Sequence, residues 1–364
     1  MVLSGREFRP PFLRGRQSSM WHTLAIAMTN TTMLTRIIPS TGAALPVIGI
    51  GTYRGFDVGP GASQRAALAE VLGTLFSSGG SVIDSSPMYG RAEGVVGDLL
   101  ASARAQELPF IATKVWTQGR AAGIEQMRRS LELLRRKSID LMQVHNLVDW
   151  RVHLATLREW KVEGRIKYLG VTHYNSSAYG ELERVMRTET LDFVQLNYSL
   201  DEREAERVLL PLAQERGIAM LVNLPFGQGR LFSKLRGKRV PPWMEEIGCA
   251  TWAQALLKFV LAHPAVTCVI PCTGQPEHMA ENCRAGAGPM LDESRIDAYH
   301  FALHVDQWPT AVTGVDRGIG LNEIVIGPGA DHPSFRADNS SGDGLLQPKG
   351  APNGYDPVAH LQIL

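Results

Sequence analysis

The sequence has few of the residues and patterns that define several large classes of protein. Its 364 residues include only four cysteines, and no two of them form a CxxC pair. Four cysteines in a chain of this length do not form a disulfide framework. We therefore interpret them as isolated, mostly core-packed thiols in a reducing cytoplasm. No HxH or HExxH pattern occurs, so we predict no metal site.

An excess of charge and a long apolar run are also missing. The formal net charge is +1, which provides no basic surface for nucleic acid or for an anionic membrane. No segment approaches the roughly 18 apolar residues of a membrane span, and no convincing signal-peptide core precedes the first motifs. This balance favours a small, nearly neutral substrate, with neither nucleic acid nor membrane as a partner.

Composition and periodicity divide the chain into three zones. Residues 1–43 lack sustained periodicity and are interpreted as a flexible extension. Residues 307–364 are rich in Gly and Pro and are interpreted as loop or disorder, because such a segment buries too little apolar surface to offset its chain entropy. The remaining zone, residues 44–306, is predicted to hold the folded domain.

Short apolar runs alternate with amphipathic segments throughout this central zone. Eight runs are predicted to be strands buried on both faces, and helices are predicted between them: PVIGIGTY, SVIDSS, PFIATKVW, LMQVHNL, YLGVTHY, FVQLNYS, AMLVNLPF and TCVIPCTG. Eight parallel strands with helical crossovers predict a closed (β/α)8 TIM barrel. An open doubly wound sheet is the alternative, but GIGTYRGF lacks the third glycine of a GxGxxG motif.

Polar residues follow three consecutive predicted strands. Asp84 and Tyr89 follow the second strand, Lys114 lies at the end of the third, and His145 at the end of the fourth. Because the carboxyl ends of barrel strands form one mouth, these four side chains are expected to meet. Each alone has a structural interpretation, such as a turn cap, rim packing or a solvated charge, but the set predicts catalysis.

This set suits the reduction of a carbonyl group. The reaction needs hydride on carbon and a proton on oxygen as negative charge develops there. Tyr89 would supply the proton, and Lys114 is expected to lower the tyrosine pKa by favouring the phenolate. Asp84 would hold the ammonium, while His145 would orient the substrate oxygen and assist proton transfer.

The motifs GIGTY, IDSSPMYG, ATKVW and LMQVHN occur in an order and spacing that resemble the aldo/keto reductases. The similarity continues through GRIKYLGVTHYN, FVQLNYSL, NLPFGQGRL and IPCTGQPEHMAEN, and so covers about residues 45–285. The resemblance implies that Asp84, Tyr89, Lys114 and His145 are the family's four catalytic residues. It also implies NADPH as the cofactor, with NADH as the alternative, and a small carbonyl compound as the substrate.

The resemblance further implies a set of cofactor contacts at the barrel mouth. The nicotinamide carboxamide would contact Thr172, His173 and Gln195, and Asn223 replaces the tyrosine that stacks on the ring in many members. The remaining contacts would be backbone amides for the pyrophosphate and polar groups for the adenosine: Gly227, Gly229, Leu231, Thr273, Gln275, His278 and Asn282. Cys272 and His278 stand where members that prefer NADPH place a lysine and an arginine, so weaker discrimination for the 2′-phosphate is expected.

Tyr53, Trp116 and Trp150 lie near strand ends and are predicted to line the substrate pocket, with rim packing as the equally weighted alternative. Two other functions stay open at this point. One is a Schiff-base lyase that uses Lys114 as its nucleophile, and the other is a cofactor-binding regulatory subunit with little turnover. A closed barrel needs no partner, so a monomer is expected.

Overall fold

Alternating apolar and amphipathic segments form parallel strands and helices in the computed structural model, which describes residues 32–102 and 109–291. The strands, in chain order, are β1 (Thr35–Ile37), β2 (Ala44–Pro46), β3 (Ile50–Gly51), β4 (Val82–Asp84), β5 (Phe110–Val115), β6 (Ile139–His145), β7 (Ile166–His173), β8 (Phe193–Asn197), β9 (Ala219–Asn223) and β10 (Val266–Val269). The helices are α1 (Ala62–Ser77), α2 (Ala92–Ser102), α3 (Arg120–Leu133), α4 (Trp150–Val162), α5 (Tyr179–Thr188), α6 (Leu209–Arg216), α7 (Arg230–Leu235), α8 (Trp252–Ala262) and α9 (Pro276–Ala285).

Strands β3 to β10 lie side by side in sequence order as one parallel sheet. The two edges of this sheet join, because the Gly49 amide donates to the Val269 carbonyl at 2.9 Å and the Gly51 amide donates to the Pro271 carbonyl at 3.1 Å. Gly51 has no room for a side chain, since a Cβ there would lie 2.5 Å from the Cys272 sulfur. The predicted (β/α)8 barrel is confirmed, and each of the eight predicted apolar runs overlaps one of its strands.

The core has two parts because each barrel strand is buried on both of its faces. One cluster fills the space between the sheet and the helices, and α1 contributes Leu68, Val71, Leu72 and Leu75 to it. A smaller cluster fills the lower part of the barrel, where Tyr168 and Phe193 pack edge to face with ring centroids 5.4 Å apart. This packed interior leaves the carboxyl ends of the strands as the place for a polar site.

A hairpin of β1 and β2 precedes the barrel and packs against its lower end. Ile38 and Leu45 belong to the interior cluster, and the Thr41 hydroxyl lies 2.8 Å from the Tyr168 hydroxyl. Strand β1 lies inside the segment 1–43 that the sequence indicated to be an extension, so regular structure starts before that boundary. The predicted tail, residues 307–364, lies outside the described residues, as does the end of the predicted barrel after residue 291.

Helix α2 lies between the second and third predicted strands, where a helix was expected, and α7 is a second helix, besides α8, between the seventh and eighth. Helix α2 begins directly after the Tyr89 loop, and α7 follows the glycine-rich segment that was interpreted only as a cofactor loop. Among the helices of the described ranges, none is both long and apolar enough to span a membrane.

Candidate active site

A buried ion pair lies at the carboxyl ends of β4 and β5. The Lys114 Nζ donates to both carboxylate oxygens of Asp84, at 2.8 and 2.7 Å, and to the Ser85 carbonyl at 2.7 Å. Lys114 is only 1% exposed. Three donated hydrogen bonds require the three N–H groups of an ammonium, so the geometry describes a charged lysine held by a carboxylate.

Two glutamines complete what we call the polar layer: Asp84, Lys114, Gln143 and Gln195. The Gln195 Nε2 donates to Asp84 at 3.2 Å, and the Gln143 Nε2 donates to the Gln195 Oε1 at 2.9 Å. All four side chains are buried. Burial raises the pKa of Asp84, and hydrogen bonds from Lys114 and both glutamines act in the opposite direction.

His145 lies above this layer at the end of β6. Its Nδ1 is 3.1 Å from the Ser86 hydroxyl, which itself accepts from the Met88 amide at 3.3 Å. The Ser86 hydroxyl keeps a proton that it can donate to Nδ1, and in that arrangement the imidazole proton is on Nε2. Burial, assisted by Lys114 and His173, lowers the pKa of His145 to about 2, so the ring is neutral at physiological pH.

Tyr89 lies on the loop between β4 and α2, and two contacts shape that loop. The backbone amide and Nε of Arg91 both donate to Asp57 at 3.1 Å, which connects the loops that follow β3 and β4. Gly90 has φ of +61°, and a Cβ there would lie 2.5 Å from the Asp57 carboxylate. This turn places the half-buried Tyr89 ring 5.2 Å from the Lys114 Nζ and 6.0 Å from the His145 ring.

The pKa of Tyr89 is shifted in the opposite direction from the one expected. Burial raises the pKa of Tyr89 well above its ordinary value, and Asp84, Cys272 and Tyr53 raise it further. The main physical reason is desolvation, because burial of the ring penalises the charged phenolate, and the nearby Asp84 carboxylate repels that charge as well. In this structure Tyr89 therefore keeps its proton at neutral pH.

Two of the three aromatic residues predicted to line the substrate pocket lie beside Tyr89 and His145. The Tyr53 ring is 5.0 Å from the Tyr89 ring, the Trp116 ring is 6.4 Å from the His145 ring, and both are about two-fifths exposed, at 43% and 41%. Trp150 requires a correction. It is the first residue of α4 and 7% exposed, and its Nε1 donates to Glu181 at 3.0 Å, so it packs between helices instead of lining the mouth.

The residues predicted to contact the carboxamide lie on neighbouring strands. Thr172 pairs with both His145 and Gln195 in the parallel ladder, and it is buried. The His173 Nδ1 accepts from the Asn175 amide at 3.1 Å, which leaves Nε2 as a donor, and the ring stacks on Tyr174 with 5.8 Å between centroids. Asn223 ends β9, and its buried Oδ1 has no hydrogen-bond partner among the residues that the structure describes.

The glycine-rich loop does not present the amides that were predicted for the pyrophosphate. The Gly227 amide donates to the Leu224 carbonyl at 2.9 Å, and the Gly229 amide donates to the Phe226 carbonyl at 3.0 Å. The buried Leu231 also directs its amide to Phe226, at 3.4 Å. In this conformation the loop folds into a 3-10 turn that uses these donors itself, so their contact with a pyrophosphate stays a prediction.

The remaining predicted cofactor residues form what we call the adenosine side: Thr273, Gln275, His278 and Asn282. The Thr273 hydroxyl accepts from the Gln275 amide at 3.1 Å, at the start of α9. Gln275 and His278 are exposed, whereas Asn282 is buried on α9. Cys272 is the one exposed cysteine of the four, and its sulfur lies over Gly51 at the barrel edge.

Gln143 and Ser86 were not among the site residues predicted from the sequence. The sequence could have indicated Gln143, because a residue two positions before His145 on a strand points to the same side of the sheet. Ser86 had no such signal, since its contact with His145 depends on the turn that the chain makes after β4.

The fold and this site together are those of a barrel enzyme. A protonated tyrosine, a buried lysine–aspartate pair and a neutral histidine lie at the carboxyl ends of its strands. A family model described as the aldo/keto reductase family matches residues 47–300. The chain belongs to the aldo/keto reductase family, and it is an NAD(P)H-dependent oxidoreductase that acts on carbonyl groups, as the sequence predicted.

Individual relatives agree with this assignment. The methylglyoxal reductase YeaE of Escherichia coli (strain K12) is 29% identical over 250 residues, which cover 67% of this chain and 86% of that protein. An NADH-specific methylglyoxal reductase from the same organism is 25% identical over 233 residues, covering 56% of this chain and 70% of that protein.

Among solved structures, an aldo/keto reductase from Klebsiella pneumoniae in complex with NADP and acetate has a TM-score of 0.62. It is 25% identical, and the match covers 75% of this chain and 97% of that chain. The predicted cofactor, NADPH with NADH as the alternative, agrees with these relatives.

Proposed function

We propose that this protein reduces a small aldehyde or ketone to the alcohol, with Tyr89 as the proton donor. The observation that supports this most strongly is the position of a protonated tyrosine beside a neutral histidine and above the buried Lys114–Asp84 pair. A carbonyl oxygen that gains negative charge needs hydrogen-bond donors and a nearby proton. These side chains offer both within one small space.

The residues at the mouth fit a nicotinamide cofactor. Within the described ranges, the buried Asn223 Oδ1 at the end of β9 accepts no hydrogen bond, and the His173 Nε2 at the end of β7 has no hydrogen-bond acceptor. A carboxamide would therefore find both an acceptor and a donor there. When bound, NADPH would supply hydride to the carbonyl carbon. Gln275 and His278 are exposed and would contact the adenosine end, with Asn282 buried behind them.

In this proposal His145 binds and orients the substrate, and Tyr89 transfers the proton. The Nε2–H of neutral His145 would donate a hydrogen bond to the carbonyl oxygen. As the oxygen becomes an alkoxide, it is a stronger base than a phenolate, so the proton moves from the Tyr89 hydroxyl to it. The Tyr89 phenolate would then take a proton back from solvent.

Tyr53 and Trp116 would form the walls of the substrate pocket. Both rings are exposed at the mouth and flank Tyr89 and His145, so they offer flat apolar contacts to a small carbonyl compound. Two relatives are named as methylglyoxal reductases, which makes a 2-oxoaldehyde the first substrate to test. A monomeric, cytoplasmic enzyme without nucleic-acid partners remains our proposal for its cellular form.

The hydrogen bonds of Lys114 argue against the Schiff-base alternative. A lysine nucleophile must be a neutral amine, which has two N–H groups, whereas Lys114 donates three hydrogen bonds. Borohydride trapping of a substrate on Lys114 would restore that alternative. Binding of NADPH without its oxidation by any carbonyl compound would favour the regulatory-subunit interpretation.

Tyr89→Phe provides the direct test, with NADPH and NADH oxidation followed at 340 nm over a panel of aldehydes and ketones. We expect kcat to fall by about 10²- to 10⁴-fold, the usual contribution of a positioned general acid. Tyr53→Phe is the matched control, because it removes the same atom from the neighbouring ring, and its kcat should change by less than about tenfold. A Tyr89→Phe protein with wild-type kcat would show that the proton donor is a different group.

A further inference from the structure

We propose that Gln143 is a positioning residue that orients the Gln195 amide and connects the cofactor-binding side of the site to the Lys114–Asp84 pair. This proposal rests on the proposed function, because it assumes that Gln195 contacts the nicotinamide carboxamide. It adds a residue to the reaction that neither the motifs nor the resemblance had assigned.

The orientation of both amides follows from the carboxylate. An ionised Asp84 can only accept hydrogen bonds, so Gln195 must direct its Nε2 toward Asp84, which it does at 3.2 Å. The Gln195 Oε1 therefore points to the other side, where it accepts from the Gln143 Nε2 at 2.9 Å. The same Gln143 nitrogen lies 3.5 Å from the second carboxylate oxygen, which closes a ring of three side chains.

This ring leaves one buried polar atom without a partner. Because Gln143 uses its nitrogen in the ring, its Oε1 turns away, and that oxygen is buried with no hydrogen bond among the described residues. A leucine or methionine would fill the same volume without burying an unpaired acceptor. An amide that is kept despite this penalty indicates that its N–H donor has a role at this position.

That role is to hold Gln195 in one orientation before the cofactor arrives. In the parallel ladder Gln195 is the partner of Thr172, and Thr172 is the partner of His145, so the Gln195 amide lies directly beneath the mouth. One N–H group and one lone pair of Gln195 remain for a carboxamide after the ring has formed. Without Gln143 the amide could rotate, and binding would have to fix it.

The geometry also predicts that cofactor contacts at Gln195 affect the Lys114–Asp84 ion pair. Any change in the Gln195 amide alters a hydrogen bond to Asp84, and Asp84 holds the ammonium that faces the Tyr89 ring. Gln143 contacts both Gln195 and Asp84. It would therefore restrict how far cofactor contacts can disturb the ion pair.

The experiment measures NADPH binding by fluorescence titration and kcat at 340 nm for wild type, Gln143→Met, Gln195→Met and the double variant. Leu141→Met, which lies one layer lower on the same strand and faces the barrel interior, is the control for repacking. We expect Gln143→Met to weaken NADPH binding by about tenfold, as one lost hydrogen bond does. In the Gln195→Met background the same change should have less than about a twofold effect, because the partner is already gone.

Gln143→Glu adds a readout that depends on protonation instead of packing. A protonated carboxyl can donate to the Gln195 Oε1 as the amide does, whereas an ionised one cannot and also repels Asp84. The pKa of the introduced carboxyl should be raised, because it faces the Asp84 carboxylate and because Asp84 already neutralises Lys114. NADPH binding relative to wild type should therefore be close to normal at pH 5.5 and weaker by about tenfold or more at pH 8.5.

The outcomes separate this inference from the proposed function. If wild type neither binds NADPH nor oxidises it with any carbonyl compound, the proposed function fails and this inference fails with it. If wild type is active but the Gln143 and Gln195 effects on binding add independently, or Gln143→Glu shows no dependence on pH, only the role of Gln143 is refuted. If Gln143→Met is too unstable to study, the pH dependence of Gln143→Glu decides.

Discussion

The polar layer and the adenosine side are built differently, although both lie at the carboxyl ends of the same barrel. In the polar layer all four side chains are buried on strands and bond to one another, with Lys114 and Asp84 at contact distance. On the adenosine side Gln275 and His278 are exposed and lie at or after the end of a strand. The first region is determined by protein contacts alone, whereas the second is completed by whatever it binds.

This difference implies that the two regions should respond differently to mutation. A change in the polar layer breaks contacts that the protein itself makes, so it should alter stability even without cofactor. A change on the adenosine side removes or adds a contact with a ligand, so it should alter binding and leave folding unchanged. The following predictions test this contrast.

Lys114→Met should have the largest effect on stability. Removing the ammonium leaves the Asp84 carboxylate buried without its counter-charge, so the free energy of unfolding should fall by about 3–5 kcal/mol. Denaturant titration of the cofactor-free protein measures this. The double variant with Asp84→Asn, which also removes the stranded charge, should recover part of the loss. Equal stability of the single and double variants would mean that the pair is not held as described.

The sequence predicted Asp84 and Lys114 of the polar layer, and His145 above it, because these three residues lie at the ends of strands. The period-2 pattern of a buried strand determines which side chains face the interior, so Asp84, Lys114 and His145 could be expected at one mouth before any coordinates were known. The same rule could have identified Gln143. The pKa of Tyr89 could not be predicted, because it depends first on how deeply the folded chain buries the ring.

Loops limited the rest of the prediction. The amides of Gly227 and Gly229 were expected to face a phosphate, but they donate within a 3-10 turn, and the positive φ of Gln228 inside that turn has no sequence signature. Trp150 follows a strand in the sequence, but it starts a helix and packs against α5 through Glu181. A residue's distance from a strand end does not determine where a loop directs its side chain.

His145 should make the stability of the polar region depend on pH. Its pKa is lowered to about 2 in the folded protein, from 6.5, so the unfolded chain binds a proton that the folded chain excludes. Stability is therefore greatest above pH 6.5 and falls as the pH decreases. Between pH 7 and pH 5 the loss attributable to this ring is about 2 kcal/mol.

The matched comparison is wild type against His145→Asn, with the free energy of unfolding measured at both pH values. Other histidines with lowered pKa values, such as His173 and His263, are present in both proteins and cancel in the difference. The variant should lose about 2 kcal/mol less than wild type over this range. An equal loss in both proteins would show that His145 is not held neutral by its surroundings.

His278→Arg should have the smallest effect of these changes, and it should appear only in cofactor binding. No permanent cation stands at Cys272 or His278, so we expect wild type to prefer NADPH over NADH by less than about a hundredfold in kcat/KM, or ~2.7 kcal/mol. An arginine at this exposed position should favour the 2′-phosphate, raising that preference by about two- to tenfold at low salt and by less at high salt.

Glu215→Gln is the charge-matched control for His278→Arg, because it also adds one positive unit but lies on α6 near the opposite end of the barrel. It should leave the cofactor preference unchanged. Both variants should unfold at the wild-type denaturant concentration, since neither removes a buried contact. A large loss of stability in His278→Arg would show that the adenosine side is held by protein contacts like the polar layer. An unchanged cofactor preference would instead place the 2′-phosphate away from α9.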